Sequence, residues 1–138
     1  WGTQRFHEAA EKFNQSRIVF NVSSRKELNM RHFEALGAGA FLLTDNISES
    51  QNVFKQGEHF VGYDTFDDMV EKARYYLAHE AEREKIAQAG HAEALLKHTY
   101  AHRVISVLKT VGVPYDQGAA ENLLSLVAGS KEAALVAA

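Results

Sequence analysis

Two carboxylates, Glu27 and Glu34, stand seven positions apart in a segment rich in helix-forming residues. If one helix carries both, the spacing is close to two turns, so the side chains share one face at about 10 Å separation. Carboxylates accept hydrogen bonds from hydroxyl groups. The pair therefore predicts a site for an elongated ligand with hydroxyls at both ends.

The backbone between the acids predicts an anion site. The β-rich run Arg17 to Val22 is followed by the loop 23–27, so Leu28, Asn29 and Met30 begin a helix after a strand. Free N–H groups and the helix dipole at such a position bind phosphates. A sugar, a diphosphate and a ribose together match the distance between the acids.

Arg31 has two interpretations. On the face of the two acids, it can add positive charge near a diphosphate and help it leave as a bond breaks. Alternatively, Glu27 and Arg31 at i,i+4 and Arg31 and Glu34 at i,i+3 form an ordinary solvated salt-bridge face. Spacing alone leaves both interpretations open.

Four polar residues at predicted strand ends are further candidates. Ser23 and Ser24 follow the first strand and can donate to phosphate or cap the next helix. Thr44 and Asp45 end the second strand and can contact a sugar or phosphate group of a ligand, or form an Asx turn. His98 and His102 have the spacing of the two histidines in a metalloprotease zinc motif. That motif needs a glutamate directly after the first histidine, and none follows His98, so no metal site is predicted.

Short apolar strands alternate with helices along the chain. Strands are predicted at Arg17–Val22, Ala40–Leu43 and His59–Tyr63. Helices are predicted at Thr3–Gln15, at Leu28–Ala38, from a Ser48 and Gln51 capping box, after a Thr65 cap, and at Ala81–Lys97 and Tyr100–Val111. The tail contains one candidate helix around Leu123, Leu124 and Val127, and from Gly129 on it reads as a weakly held terminus.

The alternation indicates an α/β fold built from parallel βαβ units, with ligands at the carboxyl ends of the strands. About three strands are half of a doubly wound domain, so we predict a partial Rossmann-like fold with a helical C-terminal part. A helix leading directly into the Ile18 to Val22 strand implies an earlier strand. The open edge beside that strand predicts self-association as a homo-oligomer.

Composition narrows the class of protein. The 138 residues are 46% hydrophobic and 24% charged, with net charge −3 and no cysteine, which is typical of a globular domain without a disulfide scaffold. Dispersed Lys and Arg do not support a nucleic-acid partner. The longest uncharged apolar stretch, Ala35 to Thr44, is too short for a membrane span, and we expect a cytoplasmic location.

Four segments carry a family resemblance. They are RIVFNVSSRKELNMRHFEALGAGAFLLTDN, FKQGEHFVGYDTFDDMV, the stretch from Tyr76 through Arg83 to Gly90, and KHTYAHRV. Together, over roughly Phe13 to Val111, they resemble the C-terminal domain of group 1 GT-B glycosyltransferases, with a closer likeness to the spore-maturation-type branch. The resemblance implies domain bounds of 1–113, with residues 114–138 as a tail.

The resemblance also implies site roles. Glu27 is matched to the acid near the transferred sugar, Leu28, Asn29 and Met30 to the amides on the diphosphate, and Glu34 to the acid on the ribose. Six residues separate the acids here and seven in the family. The implied function is transfer of a glycosyl group from a nucleotide-diphosphate sugar, without a metal or other cofactor.

In that family the acceptor site comes from an N-terminal domain that this chain does not contain, so the chain alone is expected to be inactive. Two alternatives are considered. A non-catalytic binding or self-association module can use the same sheet while the acidic face is merely solvated. A receiver-like signalling domain is disfavoured, because the strands do not end in the required paired acids or in a late lysine.

Overall fold

The structure is a computed structural model that describes the backbone of residues 6–136 and the side chains of residues 8–129. The predicted N-terminal helix begins within the described residues at Phe6, and Thr3 lies outside them. The elements in chain order are α1 Phe6–Gln15, β1 Val19–Asn21, α2 Met30–Gly37, β2 Leu42–Asp45, α3 Ser48–Val53, β3 Val61–Tyr63, α4 Phe66–Ala78, α5 Glu80–Lys97, α6 Tyr100–Val111 and α7 Gln117–Val136.

The chain divides into two compact units, Trp1–His91 and Ala92–Ala138. The first unit contains the sheet and its flanking helices. In the second, α6 packs against α7, and the C-terminal cap of α6 is Gly112, whose φ of 70° places it in the left-handed region where glycine is favoured. The domain bounds 1–113 and 114–138, which the family resemblance implies, remain a prediction.

The three strands form one parallel sheet in the order β1-β2-β3. The predicted α/β class with about three parallel strands is therefore confirmed, and the architecture is consistent with part of a Rossmann-like fold. The sequence pattern ends the second strand at Leu43, whereas β2 continues through Thr44 and Asp45. Pairing with Gly62 and Tyr63 of β3 holds these two polar residues in the sheet.

One face of the sheet packs against α4 and α5. Its buried centre is formed by apolar side chains of β2, β3 and α5 and by the residue just before β2, with partly buried side chains of α4 around it. The sequence predicts an apolar stripe on α4. The buried members are Phe41, Leu43, Val61, Tyr63, Ile86 and Ala87, and Met69, Ala73 and Tyr76 pack against them. Removing this apolar surface from water is the main force that holds the two helices on the sheet.

Helix α2 packs against β1 and β2. Ala35 and Leu36 bury its apolar stripe completely, and the helix ends before Gly39, whose φ of 82° suits glycine. The sequence predicts a helix end at Ala38, and α2 ends one residue earlier, at Gly37. This packing places the first turn of α2 beside the carboxyl ends of the strands.

The predicted helix starts at Ser48 and Thr65 have different outcomes. Thr65 caps α4, its Oγ1 accepting from the N–H of Asp68 at 3.1 Å, as predicted. The capping box at Ser48 is wrong: Ile47 is the cap residue and makes no side-chain cap bond. Ser50 instead donates its hydroxyl to the Ile47 carbonyl at 2.8 Å, which ties the short helix to its own start.

Among the described residues, no helix combines the length and apolar character needed to cross a membrane. The sheet order leaves the outer edge of β1 unpaired within the described part of the chain. Phe20 is 48% exposed there, and the adjacent Val22 is 59% exposed. The self-association predicted for this edge stays a prediction.

Candidate functional site

Helix α2 does not extend back to Glu27. Asn29, with extended φ and ψ of −103° and 169°, is the cap residue, and its side chain accepts from the N–H of Arg31. Lys26 has a φ of 56°, which is also incompatible with helix. The condition for placing Glu27 and Glu34 two turns apart on one helix is therefore not met, because Glu27 lies in the loop before α2.

The loop 23–27 is closed by Ser23. The Ser23 hydroxyl donates to the Glu27 carbonyl at 2.8 Å and accepts from the Glu27 N–H at 2.9 Å. The buried Ser23 thus has its hydroxyl engaged within the loop, while Ser24 and Glu27 are exposed. Phosphate binding by Ser23 or Ser24 and sugar binding by Glu27 remain predictions.

The start of α2 presents backbone N–H groups. Among the described residues, the N–H groups of Leu28, Asn29 and Met30 have no hydrogen-bond partner, whereas those of Arg31 and His32 bond to Asn29 Oδ1 and Asn29 O at 3.1 and 3.3 Å. The first turn contains no acidic residue. The positive end of the helix dipole is therefore not neutralised by the helix itself.

Glu34 and Arg31 form the predicted i,i+3 ion pair, with 3.6 Å between Arg31 Nη1 and Glu34 Oε2. Their side chains are 28% and 45% exposed, so solvent and solutes reach both. The Arg31 guanidinium also lies 5.2 Å from the centre of the Phe13 ring, a favourable cation–π distance. The pair thus combines a carboxylate and a guanidinium within reach of solutes, one turn into α2.

A buried polar network joins the strand ends to this helix. Asn21 donates its Nδ2 to Thr44 Oγ1 at 3.0 Å and accepts from Asn29 Nδ2 at 3.4 Å. The Tyr63 hydroxyl donates to the Asn21 carbonyl at 2.9 Å. Asn29 Oδ1 lies 3.2 Å from Nδ1 of the fully buried His32. Side chains from β1, β2, β3 and α2 therefore meet at one edge of the sheet.

Thr44 and Asp45 lie beneath the surface of this edge. Thr44 is 0% exposed and Asp45 is 3% exposed. Asp45 Oδ1 accepts from the Ser23 N–H at 2.8 Å and from the Thr44 hydroxyl at 3.4 Å, and Asp45 Oδ2 lies 3.5 Å from Lys26 Nζ. This carboxylate ties the loop to β2. Direct contact of either residue with a ligand remains a prediction.

Burial and the Asp45 charge shift two pKa values here. Burial, and then the negative Asp45, raise the pKa of Tyr63 to about 12, so its hydroxyl stays a donor at neutral pH. Burial lowers the pKa of His32, although a hydrogen bond to the Asn29 backbone and the Asp45 charge act in the opposite direction. The imidazole is therefore neutral at neutral pH.

The sequence reasoning missed Asn21, His32 and Tyr63 as members of the site. Asn21 lies inside the predicted strand Arg17–Val22, and a polar residue inside a buried parallel strand needs a hydrogen-bond partner. His32 stands among the buried positions of α2, where an ionisable ring also needs a partner. These two signals were readable, but the identity of each partner depends on the tertiary structure.

His102, one of the two histidines near the start of α6, takes part in a helix cap. His102 Nδ1 lies 2.7 Å from the Thr99 hydroxyl and accepts from the Thr99 N–H at 3.3 Å, which is a capping arrangement at the start of α6. Within the described residues, no group of three or more potential ligands (His, Asp or Glu) is placed to hold a metal ion.

Comparison with known proteins gives one match. A family model described as glycosyl transferase-like matches residues 1–109, which include the sheet, the start of α2 and the buried network. The comparison with curated proteins and the comparison with solved structures each gave no match.

Proposed function

Because the chain belongs to the glycosyl transferase-like family, we propose that the start of α2 binds a nucleoside-diphosphate sugar as glycosyl donor. The family supports glycosyl transfer as the general activity. The observation that carries the finer proposal is the set of N–H groups at Leu28, Asn29 and Met30, which have no partner among the described residues. Glu34 lies one turn further along the same helix.

Charge supports a diphosphate at this position. The three N–H groups and the helix dipole favour an anion, and the first turn of α2 contains no carboxylate that would repel one. As the bond to the sugar breaks, negative charge grows on the departing diphosphate. The N–H groups and Arg31 would stabilise that charge, so in this proposal the protein's own groups supply the role that a metal ion plays in other transferases.

Glu34 is the proposed ribose ligand. Its carboxylate is only partly exposed and is oriented by Arg31 at 3.6 Å, which leaves lone pairs for the two hydroxyls of a ribose. Glu27 is the proposed neighbour of the transferred sugar. Glu27 would reach the sugar from the loop 23–27, because α2 begins after Glu27.

The acceptor site is proposed to come from another domain, in a GT-B arrangement in which the present sheet supplies the donor half. The chain alone is then expected to bind donor nucleotide without transferring sugar. The resemblance to group 1 enzymes supports this division of roles.

Calorimetry with UDP, GDP and ADP tests the proposal. One of the three should bind, and Glu34→Ala should weaken that nucleotide about tenfold, equivalent to about 1.4 kcal/mol. Glu71→Ala is the matched control, because Glu71 is an exposed acid on α4 and should leave affinity unchanged. If the folded protein binds none of the three nucleotides, the donor-site proposal fails.

A self-association module is the second candidate function. The open edge of β1, with exposed Phe20 and Val22, favours it, because unpaired edges recruit other chains. Light scattering over a range of concentrations should then detect dimers that Val22→Lys disrupts. A monomer at all concentrations excludes this second function.

A further inference from the structure

The buried network has a hydrogen-bond direction that one residue dictates. An ionised carboxylate only accepts hydrogen bonds, so the Thr44 hydroxyl must donate to Asp45 Oδ1, at 3.4 Å. The Thr44 oxygen is then free to accept from Asn21 Nδ2 at 3.0 Å. This fixes the Asn21 amide with its Oδ1 turned away from Thr44.

The same direction continues into α2. Asn21 Oδ1 accepts from Asn29 Nδ2 at 3.4 Å, which turns Asn29 Oδ1 towards the helix. There it accepts from the Arg31 N–H at 3.1 Å and lies 3.2 Å from His32 Nδ1. An acceptor at that position requires a proton on His32 Nδ1, so Nε2 carries the lone pair.

The surroundings of His32 agree with this tautomer. His32 is fully buried, and its Nε2 has no hydrogen-bond partner among the described residues. An unpaired buried acceptor is tolerated more often than an unpaired buried N–H. The chain of donors therefore runs in one direction, from His32 through Asn29, Asn21 and Thr44 to Asp45.

We propose that Asp45 is a positioning residue that acts through Thr44 and Asn21 to orient the Asn29 cap and select the His32 tautomer. The consequence for the donor rests on the proposed function: the oriented cap holds the first turn of α2, where the diphosphate would bind. Thr44 and Asn21 are 0% and 7% exposed. In this proposal their effect on a ligand is transmitted through Asn29, the cap residue at the first turn of α2.

A merely structural network would behave differently. Buried polar groups that only satisfy one another lower stability when one is removed, and in that case the cap bond from the Arg31 N–H would by itself hold the Asn29 amide. A directional chain makes the state of His32 depend on Thr44, which lies on a different element. The His32 tautomer is therefore the distinguishing measurement.

Nitrogen-15 NMR of the His32 imidazole tests the proposal without any ligand. In the wild-type protein at neutral pH the spectrum should show a protonated Nδ1 and an unprotonated Nε2. Thr44→Val removes the hydroxyl at nearly equal volume and should produce a mixture of tautomers, whereas Thr44→Ser keeps the hydroxyl and should restore the wild-type spectrum. A wild-type Nε2–H tautomer, or an unchanged spectrum in Thr44→Val, overturns the proposal.

A double-mutant cycle adds an independent arm. Asn29→Ser keeps a capping oxygen at a partly exposed position but ends the link to Asn21. Thr44→Val should weaken nucleotide binding about fivefold in the wild-type background and leave it unchanged in Asn29→Ser. Equal losses in both backgrounds overturn the coupling. If the wild-type protein binds no nucleotide, the donor-site proposal fails, and the NMR spectrum alone decides the role of Asp45.

Discussion

Two helices, α2 and α4, begin at the same edge of the sheet, yet their first turns are built differently. Each follows a parallel strand, α2 after β1 and α4 after β3. Among the described residues, the Thr65 side chain that caps α4 bonds to Asp68, within the first turn of the same helix. The cap of α2, Asn29, is connected through Asn21 to the neighbouring strands.

The charges of the two first turns also differ. Helix α4 begins with Asp67 and Asp68, and Asp68 accepts from the Asp64 N–H at 2.9 Å and from Lys72 Nζ at 2.8 Å. The hydrogen bond from Lys72 is the main reason why the pKa of Asp68 is lowered. The dipole of α4 is thus neutralised by its own first turn, whereas the first turn of α2 contains no acidic residue. The proposed donor site depends on this difference.

The largest expected effect comes from giving α2 the charge that α4 has. Met30 and Phe66 are the exposed first residues of the two helices, at 56% and 74% exposure. Met30→Glu should weaken nucleotide binding about a hundredfold, or about 2.7 kcal/mol, because a carboxylate would face the diphosphate. Phe66→Glu should have no effect. Calorimetry measures both, and equal effects would remove the distinction between the helices.

Removal of the caps should affect stability unequally. Thr65→Ala should lower the free energy of unfolding by about 1 kcal/mol, which is typical for loss of a cap. Asn29→Ala should cost about 2 kcal/mol, because the buried Asn21 and His32 also lose a hydrogen-bond partner. Urea unfolding measures both values. A cost for Asn29→Ala no larger than that for Thr65→Ala would show that the connection to the strands does not stabilise the fold.

The lowered pKa of His32, which lies in α2, predicts that the stability of the protein depends on pH. Its pKa in the folded protein is below the ordinary 6.5, so below pH 6.5 the unfolded chain takes up a proton that the folded protein resists. Stability should therefore fall as pH drops below 6.5, by at most about 1.4 kcal/mol per pH unit from this residue. Urea unfolding at pH 5 to 8 measures the slope, and His32→Gln should reduce it. The nearby Asp45 charge opposes the shift and remains in both proteins.

The smallest expected effect separates helix stability from the site. Gly37 is the last residue of α2, and an added Cβ would meet no atom within 4 Å. Gly37→Ala should raise the free energy of unfolding by about 0.5 kcal/mol through the conformational entropy of the unfolded chain. Nucleotide affinity should stay the same, as calorimetry can check. A change in affinity would mean that the overall stability of α2, and not the order of its first turn, controls binding.

Local patterns predicted most elements but not their polar ends. The stripe on α4 and the Thr65 cap depend on neighbours within one turn, so the sequence located them. The end of β2 was misplaced, because Thr44 and Asp45 stay in the sheet through pairing with β3. The start of α2 was also misplaced, because Asn29 caps the helix while held by Asn21. Each error falls where a distant strand outweighs local preference.

The sequence by itself determined the α/β class, the family resemblance and the Glu34 face of α2, because these follow from periodicity and from residues adjacent in the chain. Only the tertiary structure decided that Glu27 lies off the helix and that Asn21, His32 and Tyr63 belong with the site. It also decided that Asp45 lies beneath the loop. Hydrogen bonds between parallel strand ends join residues about twenty to forty positions apart, and their direction is set by a buried carboxylate whose partners exist only after folding.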